Sequence, residues 1–422
     1  MATGERSLTG EPASVTVCLM NTKAEADVDP TAYDTTIDTA WVRQAVRAIH
    51  ADMRRSADTH LLRFPLPATA FDGLALYLKD ESTHPTGSLK HRLARSLFLY
   101  ALCNGKITNP DVPVYEASSG STAISEAYFA QLIGLRNFYA VVPARTAPMK
   151  LRLIEDYGGK VLRTEDDVIA EAKRQAAANN GYFVDQFTFS ERATDWRGNN
   201  NIAETIFEQM EQEPESFRIP QWVVVGAGTG GTSATIGRYA RYKGFDTRVC
   251  VADPPESSYF SCWARSRGRE SHTLQRYCMA SPIEGIGRPT PADSFLPEII
   301  DGMVTVPNEA SVGAMLYLYQ TGRYYCGVST GTNLIGAIQL LEKMRQEGQS
   351  GSLVTLICDS GLRYAQTYYD SSWRSLQRYP DGSPMYDESL VTAYMDAVRA
   401  FLERGRSFPY ELLSGRIAVD FT

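Results

Sequence analysis

The sequence has few of the features that mark exported, membrane-bound or nucleic-acid-binding proteins. None of its apolar runs approaches the roughly 18–20 residues that a membrane-spanning helix needs. The first residues, Met1-Ala-Thr-Gly-Glu-Arg6, are not followed by the apolar core of a signal peptide. A net charge of −7 over 422 residues leaves no basic excess for binding nucleic acid or an anionic membrane. These absences predict a cytoplasmic protein with neither a nucleic-acid nor a membrane partner.

Cysteine and histidine are too few and too scattered for a disulfide framework or a zinc site. The seven cysteines include no Cys-x-x-Cys pair, and the five histidines show no ligand spacing with cysteines or with one another. An odd cysteine count without framework spacing is typical of reduced thiols. Cys250, Cys326 and Cys358 lie in apolar or small-residue contexts and are predicted to be buried and unreactive. No metal site is predicted.

Apolar runs alternate with helical patterns along most of the chain. The predicted strands form two sets, residues 74–78, 112–116 and 138–142, and residues 222–225, 247–252 and 354–358. Continuous apolar strands that alternate with helices indicate parallel sheets covered on both faces. Two such sets predict two open, twisted α/β lobes with mostly parallel sheets and a ligand between them.

The two ends of the chain have a different character. Residues 1–37 are polar and show little periodicity, which predicts a tail. A helical pattern begins after Ile37, with Asp38 or Thr39 as its N-cap. Residues 388–404 form one amphipathic helix. It is predicted to pack on the main body, on a partner subunit or over the site entrance, and the sequence leaves these three open.

The most informative feature is a lysine turn followed by three loops of small residues. The turn is Thr83-His-Pro-Thr-Gly-Ser-Leu-Lys90, and the loops are Ser118-Ser-Gly-Ser-Thr122, Gly228-Thr-Gly-Gly-Thr232 and Ser329-Thr-Gly-Thr-Asn333. Each alone is a common turn. Four in this order over about 250 residues are typical of a pyridoxal phosphate (PLP) site.

Lys90 has the local setting that a PLP lysine needs. The cofactor requires a lysine amine on a rigid element that presents the nitrogen to it. The preceding turn places Lys90 in the first turn of a helix, where the positive end of the helix dipole lowers the pKa of an amine. Its neighbours His91 and Arg92 are predicted to face solvent or a carboxylate of the other lobe.

The loop at residues 226–232 supports two interpretations. Gly226, Gly228 and Gly231 fit the dinucleotide fingerprint Gly-x-Gly-x-x-Gly after a strand, and Asp253 ends the next strand. Alternatively, backbone N–H groups and the Thr229 hydroxyl, together with that of Thr232, surround a single phosphate at a helix N-terminus. Both interpretations use the same physics, so the other three motifs have to decide between them.

Those other motifs favour PLP with an amino-acid substrate. The loop Ser118–Thr122 lies between a strand and a helix, where hydroxyl and N–H groups bind a carboxylate. Ser329 opens another helix and would place its hydroxyl at the pyridine nitrogen. A hydroxyl keeps that nitrogen largely unprotonated, which suits elimination of a β-leaving group.

Over roughly residues 60–370 the chain resembles the fold-type II PLP enzymes, and within them the cysteine synthase and cystathionine β-synthase family. The resemblance rests on seven motifs, at residues 85–90, 116–122, 186–187, 226–232, 284–287, 329–331 and 358–361. The run 185–199, with Ser-Gly-Ser in the carboxylate loop, is most similar to the L-cysteine desulfhydrase branch.

The resemblance implies a role for each site residue. Lys90 would be the Schiff-base lysine and the catalytic residue. The cofactor contacts would be Lys90, Ser121, Gly228, Thr229, Gly230, Gly231, Thr232 and Ser329. The substrate carboxylate would be held by Ser118, Ser119, Gly120, Ser121, Thr122 and Gln186. Two departures stand out. Ser121 replaces the asparagine that bonds the cofactor ring oxygen in cysteine synthases, and residues 190–197 replace an Asn-Pro-rich segment.

The resemblance also implies a homodimer and a division of the chain. Residues 1–37 would be the tail, and 38–190 an N-terminal region with the PLP lysine and a mobile small lobe. Residues 191–373 would form the C-terminal lobe that binds the cofactor phosphate, and 374–422 a helical extension.

The implied reaction is β-elimination on L-cysteine, which gives hydrogen sulfide, pyruvate and ammonia through an aminoacrylate intermediate, with Lys90 as general base. β-Replacement on cysteine, serine or an O-activated serine uses the same residues up to that intermediate and stays open. A PLP-binding protein without turnover is a third hypothesis. A NAD-dependent oxidoreductase is a fourth, but it leaves Lys90, Ser329 and the carboxylate loop unexplained.

Overall fold

The computed structural model describes residues 37–55, 58–144, 146, 148–269, 281–409 and 419–421. Except for Ile37, the tail predicted at residues 1–37 lies outside them. No helix within the described ranges is long and apolar enough to cross a membrane. The predicted helix start is confirmed, because Asp38 Oδ1 accepts a hydrogen bond of 3.0 Å from Trp41 N.

Helices and strands alternate along the described chain. The helices are α1 (Thr39–Arg55), α2 (Lys90–Cys103), α3 (Ser121–Leu132), α4 (Pro148–Asp156), α5 (Val168–Ala178), α6 (Gln186–Ala193), α7 (Ile202–Met210), α8 (Gly231–Lys243), α9 (Tyr259–Ser266), α10 (Asn308–Gln320), α11 (Val328–Gln346), α12 (Ser371–Leu376) and α13 (Glu388–Arg404). The strands are β1 (His60–Phe64), β2 (Leu74–Asp80), β3 (Val114–Ala117), β4 (Phe138–Pro143), β5 (Lys160–Thr164), β6 (Tyr182–Phe183), β7 (Trp222–Gly226), β8 (Arg248–Asp253), β9 (Gly302–Thr305), β10 (Gly351–Ile357) and β11 (Val419–Phe421).

Seven of these strands form a large sheet in the order β1-β2-β10-β7-β8-β9-β11. The five inner strands of this order, β2, β10, β7, β8 and β9, pair in parallel. The edge strands pair antiparallel, β1 with β2 and β11 with β9. Successive side chains of a strand point to opposite faces. Leu76 and Val224 therefore join the core on one face, whereas Tyr77 and Val223 join the core on the other. Helices cover both faces, as the apolar strands predicted.

The other four strands form a smaller sheet in the order β5-β4-β3-β6, and all of them pair in parallel. Residues of α1, α2 and α3 share one apolar cluster with this sheet. The prediction of two α/β lobes with mostly parallel sheets is confirmed. β1 and β2 belong to the large sheet although they precede the small lobe in sequence, so the grouping of residues 74–78 with the first set of predicted strands is wrong. The predicted division of the chain into regions stays a prediction.

The C-terminal helix α13 packs on α10 and joins the apolar cluster of the large sheet. The two helices approach closely because α10 carries Gly313. A Cβ there would lie 2.7 Å from Val391 O of α13. At the start of α13, Arg374 Nε donates to Glu388 Oε1 at 2.7 Å. The sequence left three alternatives open for this helix, and in the structure it packs on the main body.

Candidate active site

The lysine turn is fastened to the segment that follows β10. Leu89 N donates to Cys358 O, and Ser360 N donates to Gly87 O, each at 2.9 Å. Because β2 and β10 are parallel neighbours, their carboxyl ends bring the two segments together at one edge of the sheet. Lys90 begins α2 at this point, so its position is fixed by backbone hydrogen bonds on a rigid element.

The Lys90 amine lies close to the glycine loop after β7. Its Nζ is 3.9 Å from where a Cβ on Gly228 would stand. Burial lowers the pKa of Lys90, and the charges of Cys358 and Asp359 oppose that shift. The direction agrees with the sequence prediction, and the largest cause is burial. A lowered pKa favours the neutral amine, which is the form that acts as nucleophile or base.

The loop Gly228–Thr232 is a tight turn at the N-terminus of α8. Gly230 has a φ of +86°. A Cβ on Gly228 would lie only 2.3 Å from Gly285 O, and one on Gly230 only 2.6 Å from Phe295 Cα. Thr229 Oγ1 accepts a hydrogen bond of 3.3 Å from Gly231 N. The loop therefore has the close backbone packing and the helix N-terminus that favour binding of a phosphate.

Asp253 does not suit the dinucleotide interpretation. Its side chain is fully buried, and Oδ2 accepts from Phe260 N at 3.3 Å. Burial raises the pKa of this carboxyl to about 8. A dinucleotide site needs an accessible carboxylate for the ribose hydroxyl, whereas Asp253 is enclosed within its own loop.

The loop Ser118–Thr122 joins β3 to α3 and meets two other parts of the chain. Thr122 Oγ1 donates to Gln186 Oε1 at 2.8 Å, so two of the predicted substrate residues lie together. On the other side, Ser121 Oγ accepts a hydrogen bond from Arg363 and lies 3.4 Å from Asp359 Oδ2. The loop is thus placed against the segment that also anchors Lys90.

Ser329 lies in the first turn of α11 and is buried. Its hydroxyl is hydrogen-bonded with the Cys358 side chain, and burial raises the pKa of that thiol to about 12. The Cys358 carbonyl accepts from Leu89 N, so Cys358 adjoins both the lysine turn and Ser329. Cys250, Cys326 and Cys358 are free and buried, as predicted.

Asp359 and Arg363 also lie at the candidate site. The sequence motif at residues 358–361 includes Asp359 without giving it a role, and Arg363 was not singled out from the sequence. Asp359 is buried, its Oδ2 accepts from Tyr364 OH at 2.6 Å, and its Oδ1 has no hydrogen-bond partner among the described residues. Arg363 donates to the Thr86 carbonyl as well as to Ser121. Both come directly after the buried strand β10. Their position beyond the end of β10 is a local signal, but it does not reveal which groups they contact.

His91 and Arg92 follow Lys90, and both side chains are buried. The prediction that they face solvent is wrong, because α1 and the end of β2 cover this side of α2. The alternative, a carboxylate of the other lobe, holds for Arg92, whose Nε donates to Glu81 Oε2 at 2.7 Å. His91 instead has Nε2 at 3.3 Å from Asp52 Oδ2 on α1.

Two buried glutamates lie behind the carboxylate loop. Glu116, on β3, accepts from Ala117 N at 2.7 Å and from Gln186 N at 3.2 Å, which ties together both segments that carry predicted substrate residues. Burial raises the pKa of Glu116 to about 7. Burial also raises the pKa of Glu126 on α3 well above its usual value, and the charge of Glu116 adds to this shift. Burial and mutual repulsion therefore both favour the protonated forms of this pair.

We expect Glu126→Gln to change how stability depends on pH. A carboxyl with a raised folded-state pKa binds extra protons in the native state, so wild-type stability falls as the pH rises above the usual glutamate pKa of about 4.5. The variant removes this ionisation, so its stability relative to wild type should be greater at pH 8 than at pH 5. Urea unfolding at pH 5 and pH 8 measures this difference. The exposed Glu155→Gln is the control, and an equal pH dependence in wild type and Glu126→Gln would contradict the expectation.

The residues around the loops suit a polar, phosphate-bearing cofactor. Three buried polar atoms that face this region have no hydrogen-bond partner within the described ranges, namely Ser190 Oγ, Asn333 Oδ1 and Asp359 Oδ1. Ser190 Oγ lies 3.0 Å from where a Cβ on Gly231 would stand, and Asn333 Oδ1 lies 3.3 Å from one on Gly226. In the part of the chain that the structure describes, no group of three or more His, Cys, Asp or Glu residues could hold a metal ion.

A family model described as "Pyridoxal-phosphate dependent enzyme" matches residues 56–359. The chain belongs to this family. Pyridoxal phosphate is therefore the cofactor of this PLP enzyme, as predicted, and the dinucleotide interpretation is dropped. The individual contacts of the cofactor and the substrate stay predictions.

Two similar proteins and one solved structure show which members of the family this chain is similar to. The PLP enzyme is 55% identical over 350 residues to L-cysteine desulfhydrase Cds1 of Mycobacterium tuberculosis, an alignment that covers 82% of this chain and 92% of that protein. It is 29% identical over 329 residues to cysteine synthase 2 of Schizosaccharomyces pombe, covering 72% and 79%. A crystal structure of a hydrogen sulfide-producing enzyme from Fusobacterium nucleatum superposes with a TM-score of 0.61 at 21% identity, covering 76% and 97%. That last likeness supports the fold.

Proposed function

We propose that this PLP enzyme is an L-cysteine desulfhydrase, which breaks the carbon–sulfur bond of L-cysteine. The observation that carries the proposal is the 55% identity, over most of both chains, to a protein of that name. The site supports it, because an amine with a lowered pKa, a hydroxyl-rich loop and the buried Ser329 meet at one edge of the large sheet.

Substrate binding is assigned to the carboxylate loop. In this proposal the hydroxyl and N–H groups of the loop hold the α-carboxylate, as does Gln186; the loop residues are Ser118, Ser119, Gly120, Ser121 and Thr122. The hydrogen bond between Thr122 and Gln186 keeps the two parts in register. The guanidinium of Arg363, which donates to Ser121, adds positive charge next to the loop. Fixed groups of this kind position the reacting carbon without further ordering.

Proton transfer is assigned to Lys90. When bound, PLP withdraws electrons from the Cα of the amino acid and makes its proton removable. The Lys90 Nζ, whose pKa is lowered by burial, takes that proton as general base. The Cβ–S bond then breaks with its electron pair leaving on sulfur. With one added water, L-cysteine becomes hydrogen sulfide, pyruvate and ammonia.

The phosphate and the ring nitrogen are assigned to the remaining motifs. Gly228, Thr229, Gly230, Gly231 and Thr232 would hold the phosphate at the start of α8. Ser329 would place its hydroxyl at the ring nitrogen, where it leaves that nitrogen largely unprotonated. Ser121 would contact the cofactor where cysteine synthases carry asparagine.

The test is to incubate the purified holoenzyme with L-cysteine and measure sulfide and pyruvate together. Equal amounts of both products are expected from the lyase. Sulfide without pyruvate, together with condensation of an added thiol onto the amino acid, would replace the proposal with β-replacement. Absence of any turnover with cysteine, serine and O-acetylserine would contradict both reactions.

We expect Ser329→Asp to slow elimination more than Ser329→Ala does. An aspartate would place a carboxylate at the ring nitrogen and favour its protonation, whereas alanine only removes a hydroxyl. The aspartate variant should lose at least about ten-fold in kcat, or ~1.4 kcal/mol of barrier stabilisation. Steady-state rates of pyruvate formation, with bound cofactor quantified in each variant, measure the effect. Equal kcat values for Ser329→Asp and wild type would remove Ser329 from this place.

We also propose that the enzyme is a cytoplasmic homodimer. The free state of all the described cysteines, which are Cys103, Cys250, Cys262, Cys326 and Cys358, supports a reducing compartment. The dimer follows from the family resemblance. Light scattering of the purified holoenzyme should give twice the chain mass of 46.7 kDa, and a monomer mass at all concentrations would contradict it.

A further inference from the structure

A chain of buried hydrogen bonds runs from the N-terminal helix α1 to the carboxylate loop. Asp52 Oδ2 lies 3.3 Å from His91 Nε2, and His91 Nδ1 lies 3.2 Å from Thr86 Oγ1. Thr86 Oγ1 is 2.9 Å from Ser125 Oγ, which in turn is 2.8 Å from the carbonyl oxygen of Ser121. We call Asp52, His91, Thr86 and Ser125 the Asp52 network.

The Asp52 network connects the lysine turn, which carries the proposed general base, with the carboxylate loop, which is proposed to bind the substrate. His91 follows Lys90 directly, and Thr86 lies in the lysine turn. Ser125 lies one turn into α3, whose first residue is Ser121 of the carboxylate loop. Asp52 comes from α1, which precedes the region matched by the family model. All four side chains of the network are buried, so they exchange hydrogen bonds with one another and not with bulk water.

Arg363 connects the same two segments a second time. It donates to the carbonyl of Thr86 and to the hydroxyl of Ser121. A shift of the lysine turn is therefore transmitted to the carboxylate loop along two routes, one through the Thr86 side chain and one through its backbone. The position of the loop depends on the hydrogen bonds that Thr86 and Ser125 make.

The number of protons in the network is limited. It contains four close contacts, from Asp52–His91 to Ser125–Ser121. Neutral His91 supplies one proton, and the two hydroxyls supply one each. Three protons make three hydrogen bonds, so one of the four contacts stays without a proton. If the residue at position 52 donated a proton to His91 Nε2, the network would hold four protons and all four hydrogen bonds could form.

The surroundings favour the neutral imidazole. Burial lowers the pKa of His91 to about 4, with His84 and Arg95 adding to the shift, while Asp52 opposes it. The pKa of Asp52 is also lowered. Burial of this carboxyl is outweighed by its hydrogen bonds with His91 and with Tyr128, whose OH donates to Oδ1 at 2.5 Å. An ionised Asp52 accepts the proton of Nε2–H.

The incomplete contact therefore lies among the hydroxyls. With its proton on Nε2, the imidazole presents Nδ1 as an acceptor, and Thr86 donates to it. Ser125 then has one proton and two acceptors, Thr86 Oγ1 and the Ser121 carbonyl. Bonding of a serine to the carbonyl four residues earlier is common in helices, but here the lysine turn competes for the same proton.

We propose that the Asp52 network positions the carboxylate loop, and that Asp52, His91, Thr86 and Ser125 thereby set the affinity of the site for an amino-acid carboxylate. This inference rests on the proposed function in one respect, namely that the loop binds an amino acid. These four are positioning residues, since they act on substrate through the backbone of Ser121.

The test measures binding of L-alanine to the holoenzyme, because L-alanine has the carboxylate but no β-leaving group. Its dissociation constant is read from the change in cofactor absorption, alongside KM and kcat for L-cysteine. Thr86→Val and Ser125→Ala should each weaken L-alanine binding and raise KM on the order of five-fold, the effect of one hydrogen bond. The kcat should stay within about two-fold, because the chemical step is unchanged. Thr205→Val is the matched control, since its hydroxyl is also buried but donates only to Ile202 O within α7.

Two substitutions of Asp52 distinguish a role in positioning the carboxylate loop through hydrogen bonds from a role in packing alone. In Asp52→Asn the amide oxygen still accepts from Tyr128, and the amide N–H takes the place of Oδ2 and donates to His91 Nε2. The imidazole proton then moves to Nδ1 and donates to Thr86, so all four contacts are made. This variant should bind L-alanine at least as tightly as wild type, whereas Asp52→Ala should weaken binding.

The outcomes are distinct. The inference is overturned if Thr86→Val and Ser125→Ala bind L-alanine as wild type does, or if Asp52→Asn weakens binding as much as Asp52→Ala. Failure of the native holoenzyme to bind either L-alanine or L-cysteine would overturn the loop assignment and the inference together. Binding of both amino acids without release of sulfide would end the proposed function alone and leave the inference standing.

Discussion

Lys90→Ala is expected to abolish turnover of L-cysteine, with kcat lower by at least about 1,000-fold, or ~4 kcal/mol of barrier stabilisation. The variant removes the amine that serves as general base in the proposed reaction. Its fold should persist, because the turn is held by backbone hydrogen bonds from Leu89 to Cys358 and from Ser360 to Gly87. Sulfide and pyruvate release from L-cysteine, together with a thermal unfolding curve, measures both parts of this expectation.

Two controls make the Lys90 result specific. The exposed Lys106→Ala lies just after the end of the same helix and should keep the native rate. Lys90→Arg keeps a positive charge but has no neutral amine at working pH, so it should be as inactive as the alanine variant. Partial recovery of Lys90→Ala by an added small primary amine is expected. Native turnover by Lys90→Ala would show that the base is elsewhere.

The central part of the fold could be predicted because its strands are apolar without interruption. β7 and β4 match their predicted ranges to within one residue at either end, since residues buried on both faces leave a continuous apolar signature. The strands β1, β6 and β9 gave no such signature. β6 has two residues and β9 has four, and the half-buried edge strand β1 includes His60 and Arg63. Their place in the sheet is decided by pairing with distant strands.

Strand order was not predictable for a related reason. Parallel strands are joined by crossovers, so neighbours in the sheet need not be neighbours in sequence. β2 pairs with β10, which begins more than 270 positions later. No local pattern encodes that pairing, and the sequence pattern consequently groups residues 74–78 with the strands of the small sheet.

In the site, the loops could be predicted and their supporting charges could not. Glycine- and serine-rich loops that follow strands are typical of phosphate and carboxylate sites, so the loops of Gly228 and Ser118 are recognisable from the local sequence. A buried charge looks the same in sequence as an exposed one. Arg363 reaches Ser121 across 242 positions, and Asp52 reaches His91 across 39. Their roles come from tertiary packing, which also explains why His91 is buried where solvent was one of two expectations.

The buried ion pair behind the lysine helix should dominate the stability of this region. Glu81 is fully buried and accepts from Arg92 Nε at 2.7 Å and from Thr59 Oγ1 at 2.6 Å. Burial alone would raise the pKa of Glu81, but Arg92 and His84 outweigh it and hold that pKa well below its usual range. Glu81→Gln would leave the Arg92 charge buried and unpaired, so we expect a loss of about 3–5 kcal/mol in the free energy of unfolding.

Acid should have the same effect on the wild type as the Glu81 substitution has at neutral pH. Because the folded-state pKa of Glu81 is lowered, its contribution is complete above the usual glutamate pKa of about 4.5 and is lost as the pH falls toward the folded value. Urea unfolding at pH 7 and pH 3 should therefore show less acid sensitivity in Glu81→Gln than in wild type. The double variant Glu81→Leu/Arg92→Met removes both charges and should recover most of the stability lost in Glu81→Gln. A double variant no more stable than Glu81→Gln would mean that the loss comes from packing and not from the unpaired charge.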